Sequence, residues 1–284
     1  APLNTEVDFT ISWGYSTTAP CESDDCIEQA NFTYSAIIGH PSIIVWDPSN
    51  QHISGERLLN YFEQNNITGF DYIDNTVLPV IENYQTAFIL LGVYPENHYL
   101  LEEEIGDFIT LLESGGSIYM EGGDTWAFDS PTSLQSMFGL IGEADGSADL
   151  SSLSGVQGTF AENITFSYNG GNSFVDRLLP VEGFSLLKND DPLYITSVAY
   201  ENEQYGYRTI GSSHDLGGLQ GDDFNLYMNN IFEFLSLGTG NVEPECSIGD
   251  INQDQNIDVT DIIRQVNIII NFGDIASEYE MCAS

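Results

Sequence analysis

A short apolar strand runs into a pair of glycines in the sequence Ser117-Ile-Tyr-Met-Glu-Gly-Gly-Asp-Thr-Trp126. The residues before it, 100–113, repeat apolar side chains at helical spacing and end in a glycine-rich stop at 114–116. A helix, a glycine stop, a buried strand and a second glycine turn together indicate the inner part of a parallel α/β sheet. Ligands and nucleophiles lie at the carboxyl ends of such strands. A functional site is therefore expected at the turn that carries Glu121, Asp124 and Thr125.

Strands and helices alternate on the amino-terminal side of this stretch. Buried strands are predicted at 42–46, 70–73 and 86–91, with a helix at 55–64. Beyond residue 128 the pattern predicts a short helix at 134–140, a Gly/Ser/Asp-rich connection at 142–158, strands at 159–160, 164–166, 194–200 and 207–213, a hairpin turn at 201–206 and a helix at 224–237. Strands separated by helices favour right-handed crossovers in one sheet. The expected fold class is α/β, a parallel-sheet three-layer sandwich.

The charge of the chain restricts its partners. The sequence holds 44 Asp and Glu against 5 Lys and Arg, a net charge of −39. Contacts to phosphate need Lys and Arg, so nucleic acid and anionic membranes are poor partners for such a surface, and no nucleic-acid partner is expected. No apolar run is long enough to insert into a membrane. Because self-repulsion at this charge density opposes compact folding, a saline or calcium-rich extracellular setting is expected.

The cysteines indicate an oxidising compartment. They form two local pairs, Cys21 with Cys26 and Cys246 with Cys282, and neither pair has metal-ligand spacing. Two disulfides are therefore expected, as in secreted proteins. The chain begins Ala-Pro-Leu, which resembles a mature end after removal of a signal peptide. We expect a secreted protein, extracellular or at the cell surface.

An alternating strand is predicted near the amino terminus. Its apolar positions are Val7, Phe9, Ile11, Trp13 and Tyr15, with small or polar residues between them. One interpretation is an edge strand or hairpin that belongs to its own domain. The other is a strand that joins a neighbouring subunit by β-augmentation.

A calcium loop is predicted at residues 250–261. Oxygen-bearing side chains occupy loop positions 1, 3, 5, 9 and 12, and Asn256 at position 7 can offer its carbonyl. Ile257 points inward, and an amphipathic helix follows. The predicted ligands of Ca²⁺ are Asp250, Asn252, Asp254, Asn256, Asp258 and Asp261.

This loop resembles a dockerin type I repeat, with Asp-x-Asn-x-Asp followed by Asp at position 12. Dockerins carry two such repeats, whereas this chain has one, and Gln255 stands where glycine is usual. A bridge between Cys246 and Cys282 would close the ends of the module in place of the missing half. The resemblance implies calcium-dependent rigidity, in an EF-hand-like module.

The α/β part resembles the class I glutamine amidotransferase-like fold in its secreted form. The resemblance rests on residues 115–126 and on Tyr207-Arg-Thr-Ile-Gly-Ser-Ser-His-Asp-Leu-Gly-Gly-Leu219. Active members place a cysteine on a strand-to-helix elbow and a histidine after a later strand. Here the elbow holds Gly122, Gly123 and Asp124, and His214 stands near the position of the base. The resemblance therefore implies a fold without its nucleophile and no catalytic residues.

Other interpretations of this degenerate site, Glu121, Asp124 and His214, stay open. Asp124 could act as a carboxylate nucleophile with His214, in an atypical hydrolase or transferase. Glu121 and Asp124 could form a second cation site near Asp215. The third interpretation is a structural turn whose polar side chains cap the following backbone.

The chain is accordingly divided into an N-terminal strand extension with a disulfide loop (1–35), an amidotransferase-like domain (36–238), a linker (239–245) and a dockerin-like calcium module (246–284). The expected function is that of a non-catalytic, calcium-stabilised structural or adhesion protein. It would self-associate into an extracellular filament or surface layer, or bind a cell-surface or matrix partner. A polysaccharide-binding module that uses exposed Trp126 or Trp46 is a further alternative.

Overall fold

The computed structural model describes residues 5–16 and 27–38 as strands, and residues 41–81 and 84–235 in full. The predicted calcium loop at 250–261, the predicted dockerin-like module and all four cysteines lie outside the described residues. The elements are β1 Thr5–Ser16, β2 Ile27–Ile38, β3 Ile43–Trp46, α1 Ile53–Gln64, β4 Phe70–Ile73, β5 Thr86–Leu90, α2 Glu102–Glu113, β6 Ser117–Glu121, β7 Leu140–Ala144, β8 Ser152–Gly155, β9 Thr165–Tyr168, β10 Arg177–Pro180, β11 Phe184–Asn189, β12 Tyr194–Glu201, β13 Arg208–Ser212, β14 Leu219–Gln220 and α3 Phe224–Phe234.

One sheet of twelve strands organises residues 41–235. Five neighbouring strands, β4-β3-β5-β6-β13, are parallel. Taken in chain order they have the spatial sequence 2-1-3-4-5, which is the order of flavodoxin-like folds. The chain therefore has a mixed α/β fold with a flavodoxin-like parallel centre, as expected from the stretch at 117–126.

The other half of the sheet is antiparallel. β12 pairs with β13 as a hairpin, and β11, β8, β9 and β14 extend the sheet from it. β10 pairs antiparallel with β7, and it also pairs with β12 at one position, where Leu178 lies opposite Ile195. The sequence predicts the β12–β13 hairpin, but the expected connection at 142–158 contains part of β7 and all of β8. Residues 159–160 are a turn, and the expected helix at 134–140 is a short 3₁₀ turn, Gln135–Phe138.

Both faces of the parallel strands are covered. Alternating side chains along β3 show this, because Ile43 and Val45 pack on one side while Ile44 and Trp46 pack on the other. Helices α1 and α3 cover the first side, and α2 covers the second. This arrangement gives three layers, and it leaves the ends of the strands as the accessible edges of the sheet.

Helix α2 has well-defined ends that set the direction of β6. The Glu104 carboxylate accepts the N–H of Leu101 at 2.7 Å, which caps the start of the helix. At the other end Gly115 adopts φ 89°, and its amide and that of Gly116 bind the carbonyls of Leu112 and Leu111. The chain then turns directly into β6, as the glycine stop predicts. None of the helices within the described residues is long and apolar enough to cross a membrane.

The amino-terminal strand is paired within the chain. β1 and β2 form an antiparallel two-stranded sheet in continuous register, from Thr5 opposite Ile38 to Ser16 opposite Ile27. This confirms the strand predicted at Val7, Phe9, Ile11, Trp13 and Tyr15. The sequence does not predict β2, and this strand crosses the predicted domain boundary between residues 35 and 36.

Candidate functional site

The carboxyl edge of the parallel strands is the candidate functional site. Neighbouring strands end at the same level here, because Leu90, Glu121 and Ser212 are in register on β5, β6 and β13. The order in which the chain adds strands reverses between β3 and β5, and open α/β sheets bind their ligands at the carboxyl edge of such a switch point. The segments that follow the strands carry the polar residues Asp47, Glu121, Asp124, His214 and Asp215.

The elbow after β6 is closed. The amide of Gly122 donates to the Ser212 carbonyl, and that of Gly123 donates to the Gly92 carbonyl, both at 3.0 Å. A Cβ on Gly122 would meet the side chain of Thr125, and one on Gly123 would lie 2.9 Å from Val93 Cγ1. Positions 122 and 123 of the elbow therefore have no room for a side chain, and their amides are already bound.

His214 is a buried, neutral side chain. Its Nδ1 lies 3.2 Å from Ser212 Oγ, and the residue has no exposed surface. Its Nε2 is buried and has no hydrogen-bond partner among the described residues. Burial lowers the pKa of the imidazole to about 3. A histidine with this pKa is a weak base near neutral pH.

Glu121 is the most deeply buried acid of the edge. Its Oε2 accepts the N–H of Leu216 at 2.9 Å and the hydroxyl of Tyr119 at 3.1 Å. Oε1 is enclosed and has no hydrogen-bond partner within residues 41–81 and 84–235. Burial, and then the charge of Asp215, raise the pKa of Glu121 well above its ordinary value.

Asp215 organises the turn that follows His214. Its Oδ1 accepts the N–H of Gly218 at 2.6 Å, and its Oδ2 accepts that of Gly171 at 3.4 Å. Burial raises the pKa of Asp215, while these hydrogen bonds and the charge of Arg57 oppose the rise. Burial and the neighbouring charge of Asp215 also raise the pKa of the Tyr168 hydroxyl.

Asp47 forms a second polar cluster, at the end of β3. Its Oδ1 accepts the Ser49 hydroxyl at 2.7 Å and lies 3.3 Å from His52 Nδ1. Its Oδ2 accepts the Tyr72 hydroxyl at 3.3 Å. The carboxyl group is fully buried, and burial raises its pKa despite these partners.

The space between these clusters is small. A cavity lined by Ser49, Ser54, Gly92, Glu121 and Asp215 has a volume of about 10 Å³. That volume is close to the minimum for one water molecule. In this structure the switch point between β3 and β5 is therefore filled by the protein's own polar side chains.

The structure gives the acidic residues of the predicted degenerate site different neighbours. It brings Glu121 close to Asp215, but it places Asp124 beside Asp145 and Asp176. Burial and then the charge of Asp145 raise the pKa of Asp124. Burial raises the pKa of Asp176 to about 6, although backbone hydrogen bonds oppose the rise.

Trp46 and Trp126, the two tryptophans expected to bind polysaccharide, are not exposed. Trp46 has no exposed surface, and Trp126 is 3 % exposed. The expectation of exposed tryptophans is therefore wrong, because Trp46 packs against Phe108 under α2 and Trp126 packs against Phe138.

Sequence reasoning missed four residues of the edge: Asp47, Asp145, Tyr168 and Asp176. Asp47 could have been found, because it directly follows a predicted buried strand. The others depend on β7, β9 and β10, short strands whose sequences carry weak local signals.

Comparison with known proteins supports the fold. No family model and no curated protein matches the chain. Among solved structures, the "mmIFT52 N-terminal domain" is similar at 15% identity and a TM-score of 0.50, over 69% of this chain and 98% of that one. At this identity the similarity shows a shared fold alone.

Two further solved structures are similar at lower TM-scores. A ThuA-like protein from Parabacteroides merdae is 11% identical, with a TM-score of 0.48, over 69% of this chain and 90% of that one. A GMP synthase protein from Thermoplasma acidophilum is 10% identical, with a TM-score of 0.43, over 69% of this chain and 94% of that one.

The buried state of Glu121 predicts a pH-dependent effect of Glu121→Gln. Because the pKa is raised in the folded state, the folded protein binds more protons than the unfolded chain above pH about 4.5. The stability contributed by this group therefore falls as pH rises, by about 1.4 kcal/mol per unit of elevation in pKa. We expect Glu121→Gln to raise Tm at pH 8 relative to wild type, and the difference to shrink towards pH 4.

The matched control is Glu233→Gln, which removes an exposed carboxylate from α3. Its Tm difference from wild type is expected to stay nearly constant over the same pH series. A Glu121→Gln variant that is less stable than wild type at pH 8 would contradict the assignment of a destabilising buried charge.

Proposed function

We propose that the chain is a secreted, non-catalytic, calcium-stabilised protein that acts in an extracellular structure or adhesion layer. In this proposal the α/β domain is a glutamine amidotransferase-like fold that has lost its nucleophile and serves as a rigid body. The observation that carries the proposal is the closed elbow at Gly122 and Gly123.

Covalent catalysis at an elbow needs three things: a nucleophile, a base that contacts it, and free N–H groups for the developing oxyanion. The elbow has glycine at positions 122 and 123, where a Cβ would meet Thr125 and Val93. The amides of Gly122 and Gly123 bind Ser212 and Gly92 instead. His214 is enclosed and neutral, so it is a poor partner for a substrate.

The atypical hydrolase is less well supported. Asp124 clusters with Asp145 and Asp176, and no hydrogen bond or ion pair joins it to His214 in the described part of the chain. Turnover of an ester, amide or glycoside that Asp124→Asn removes would restore that interpretation.

Support for calcium comes from the loop at 250–261 and from the charge of −39. A loop with Asp at positions 1, 5, 9 and 12 supplies the hard oxygens that Ca²⁺ prefers. A bound divalent cation would also reduce the repulsion among 44 acidic side chains.

Calcium is expected to raise the Tm of the full chain, because a ligand that binds only the folded state stabilises it by mass action. At a hundredfold excess over Kd the gain is about 2.7 kcal/mol. Asp250→Asn removes the first ligand of the predicted loop, so its Tm should respond less to added calcium in a calorimetric titration.

The control for this titration is Asp107→Asn, which removes one exposed carboxylate from α2. This variant should respond to calcium as wild type does. Equal responses of wild type, Asp250→Asn and Asp107→Asn would remove the loop assignment.

The proposed function also includes self-assembly of the chain through exchange of β1. β1 and β2 form a sheet of two strands, and an isolated pair of strands is only marginally stable in water. Exchange of β1 between subunits would conserve the same ladder of hydrogen bonds while joining two chains.

Removal of residues 1–18 is expected to abolish any polymer seen by electron microscopy and light scattering. A chain that lacks only residues 1–4 retains β1 entirely and should assemble as the full chain does. Polymers that are unchanged after removal of residues 1–18 would rule out exchange of this strand.

A further inference from the structure

Three aspartates from distant parts of the chain meet beside the elbow. Asp124 follows β6, Asp145 follows β7, and Asp176 precedes β10. β7 and β10 are antiparallel neighbours, with Ala144 opposite Arg177, so Asp145 and Asp176 come together at the end of this pair. The amide of Asp176 donates to the Gly123 carbonyl at 2.8 Å, which brings Asp176 next to Asp124.

Asp176 is held by the backbone of the elbow. Its Oδ2 accepts the N–H groups of Trp126 at 2.8 Å, Ala127 at 2.7 Å and Phe128 at 3.4 Å. The residue has no exposed surface, and its Oδ1 is enclosed with no hydrogen-bond partner among the described residues. An enclosed carboxylate oxygen without a partner is costly, so this oxygen indicates a missing ligand.

Within residues 41–81 and 84–235, no ion pair joins a basic side chain to this cluster. One carboxylate oxygen from each aspartate lies within 4.8 Å of the other two. Arg177, the next residue, is directed elsewhere: its guanidinium binds Asp149 at 3.0 Å and lies over the ring of Tyr194.

We propose that Asp124, Asp145 and Asp176 form a calcium site. Ca²⁺ binds oxygen at about 2.3–2.6 Å, so oxygens on opposite sides of the ion lie about 5 Å apart. One carboxylate oxygen from each aspartate lies within 4.8 Å of the other two, so a single Ca²⁺ ion can contact all three.

The burial of the three residues matches such a site. Asp176 and Asp124 are buried and fix two ligands, whereas Asp145 is exposed and leaves a path for the ion and its waters. Bound calcium would join the elbow, the end of β7 and the start of β10. The site adds to the calcium binding of the proposed function but does not depend on the loop at 250–261.

Terbium, which replaces calcium at oxygen sites, provides a local test on the full chain. Trp126 donates its backbone N–H to Asp176, so its indole is well placed to sensitise emission from Tb³⁺ in the cluster. We expect tryptophan-sensitised emission that calcium displaces. Asp145→Asn should weaken calcium binding at this site about tenfold or more, because it removes one of three charged ligands.

The comparison of variants separates this site from the C-terminal loop. Asp250→Asn and the surface control Asp107→Asn should retain the sensitised emission and its displacement by calcium. Asp145→Asn is the principal variant because its side chain is exposed, so that loss of binding does not reflect unfolding. Asp124→Asn, checked for a native melting transition, should give the same loss.

Two results would overturn the proposal. One is wild-type protein without tryptophan-sensitised, calcium-displaceable emission. The other is an Asp145→Asn variant that binds calcium at this site as tightly as the Asp107→Asn control does. If the emission is instead lost in Asp250→Asn and kept in Asp145→Asn, the loop holds the ion and the cluster does not.

Discussion

The backbone pairing of β6 continues beyond its last residue, and this continuation determines the chemistry of the whole edge. Gly122 donates to the carbonyl of Ser212 on one neighbouring strand, and Gly123 donates to that of Gly92 after the other. Two amides that a catalytic elbow would leave free are thereby part of the sheet. Glycine at positions 122 and 123 makes this pairing possible, because Thr125 and Val93 occupy the space that a side chain at either position would need.

The closed elbow explains why the acidic residues divide into two groups. Glu121, the last residue of β6, lies under the turn at 215–218, where it contacts Leu216 and faces Asp215. Asp124 lies beyond the glycines, where the chain meets β7 and β10. The first group is enclosed, with a cavity of about 10 Å³, whereas the second has one exposed carboxylate. Only the second group is therefore arranged to exchange an ion with solvent.

The parallel half of the fold can be predicted from the sequence because its signals are local. The buried run of β6, the glycines that end α2 and the apolar repeat of α1 each lie within a few residues. The antiparallel half has weaker signals. β11 contains two irregularities in its pairing with β12, and β8 buries Leu153 as its one fully enclosed side chain. The cluster of Asp124, Asp145 and Asp176 depends on the pairing of β7 with β10, which no local pattern indicates.

Hydrogen exchange at the amides of Gly122 and Gly123 tests the closed elbow most directly. Because both amides belong to the sheet, the account predicts that they exchange only with global unfolding, as slowly as the amides of β5 and β6. The exposed turn around Glu203 provides the fast reference within the same protein. Exchange of Gly122 and Gly123 as rapid as that of this turn would show an open elbow, and would contradict a fold that has closed its catalytic position.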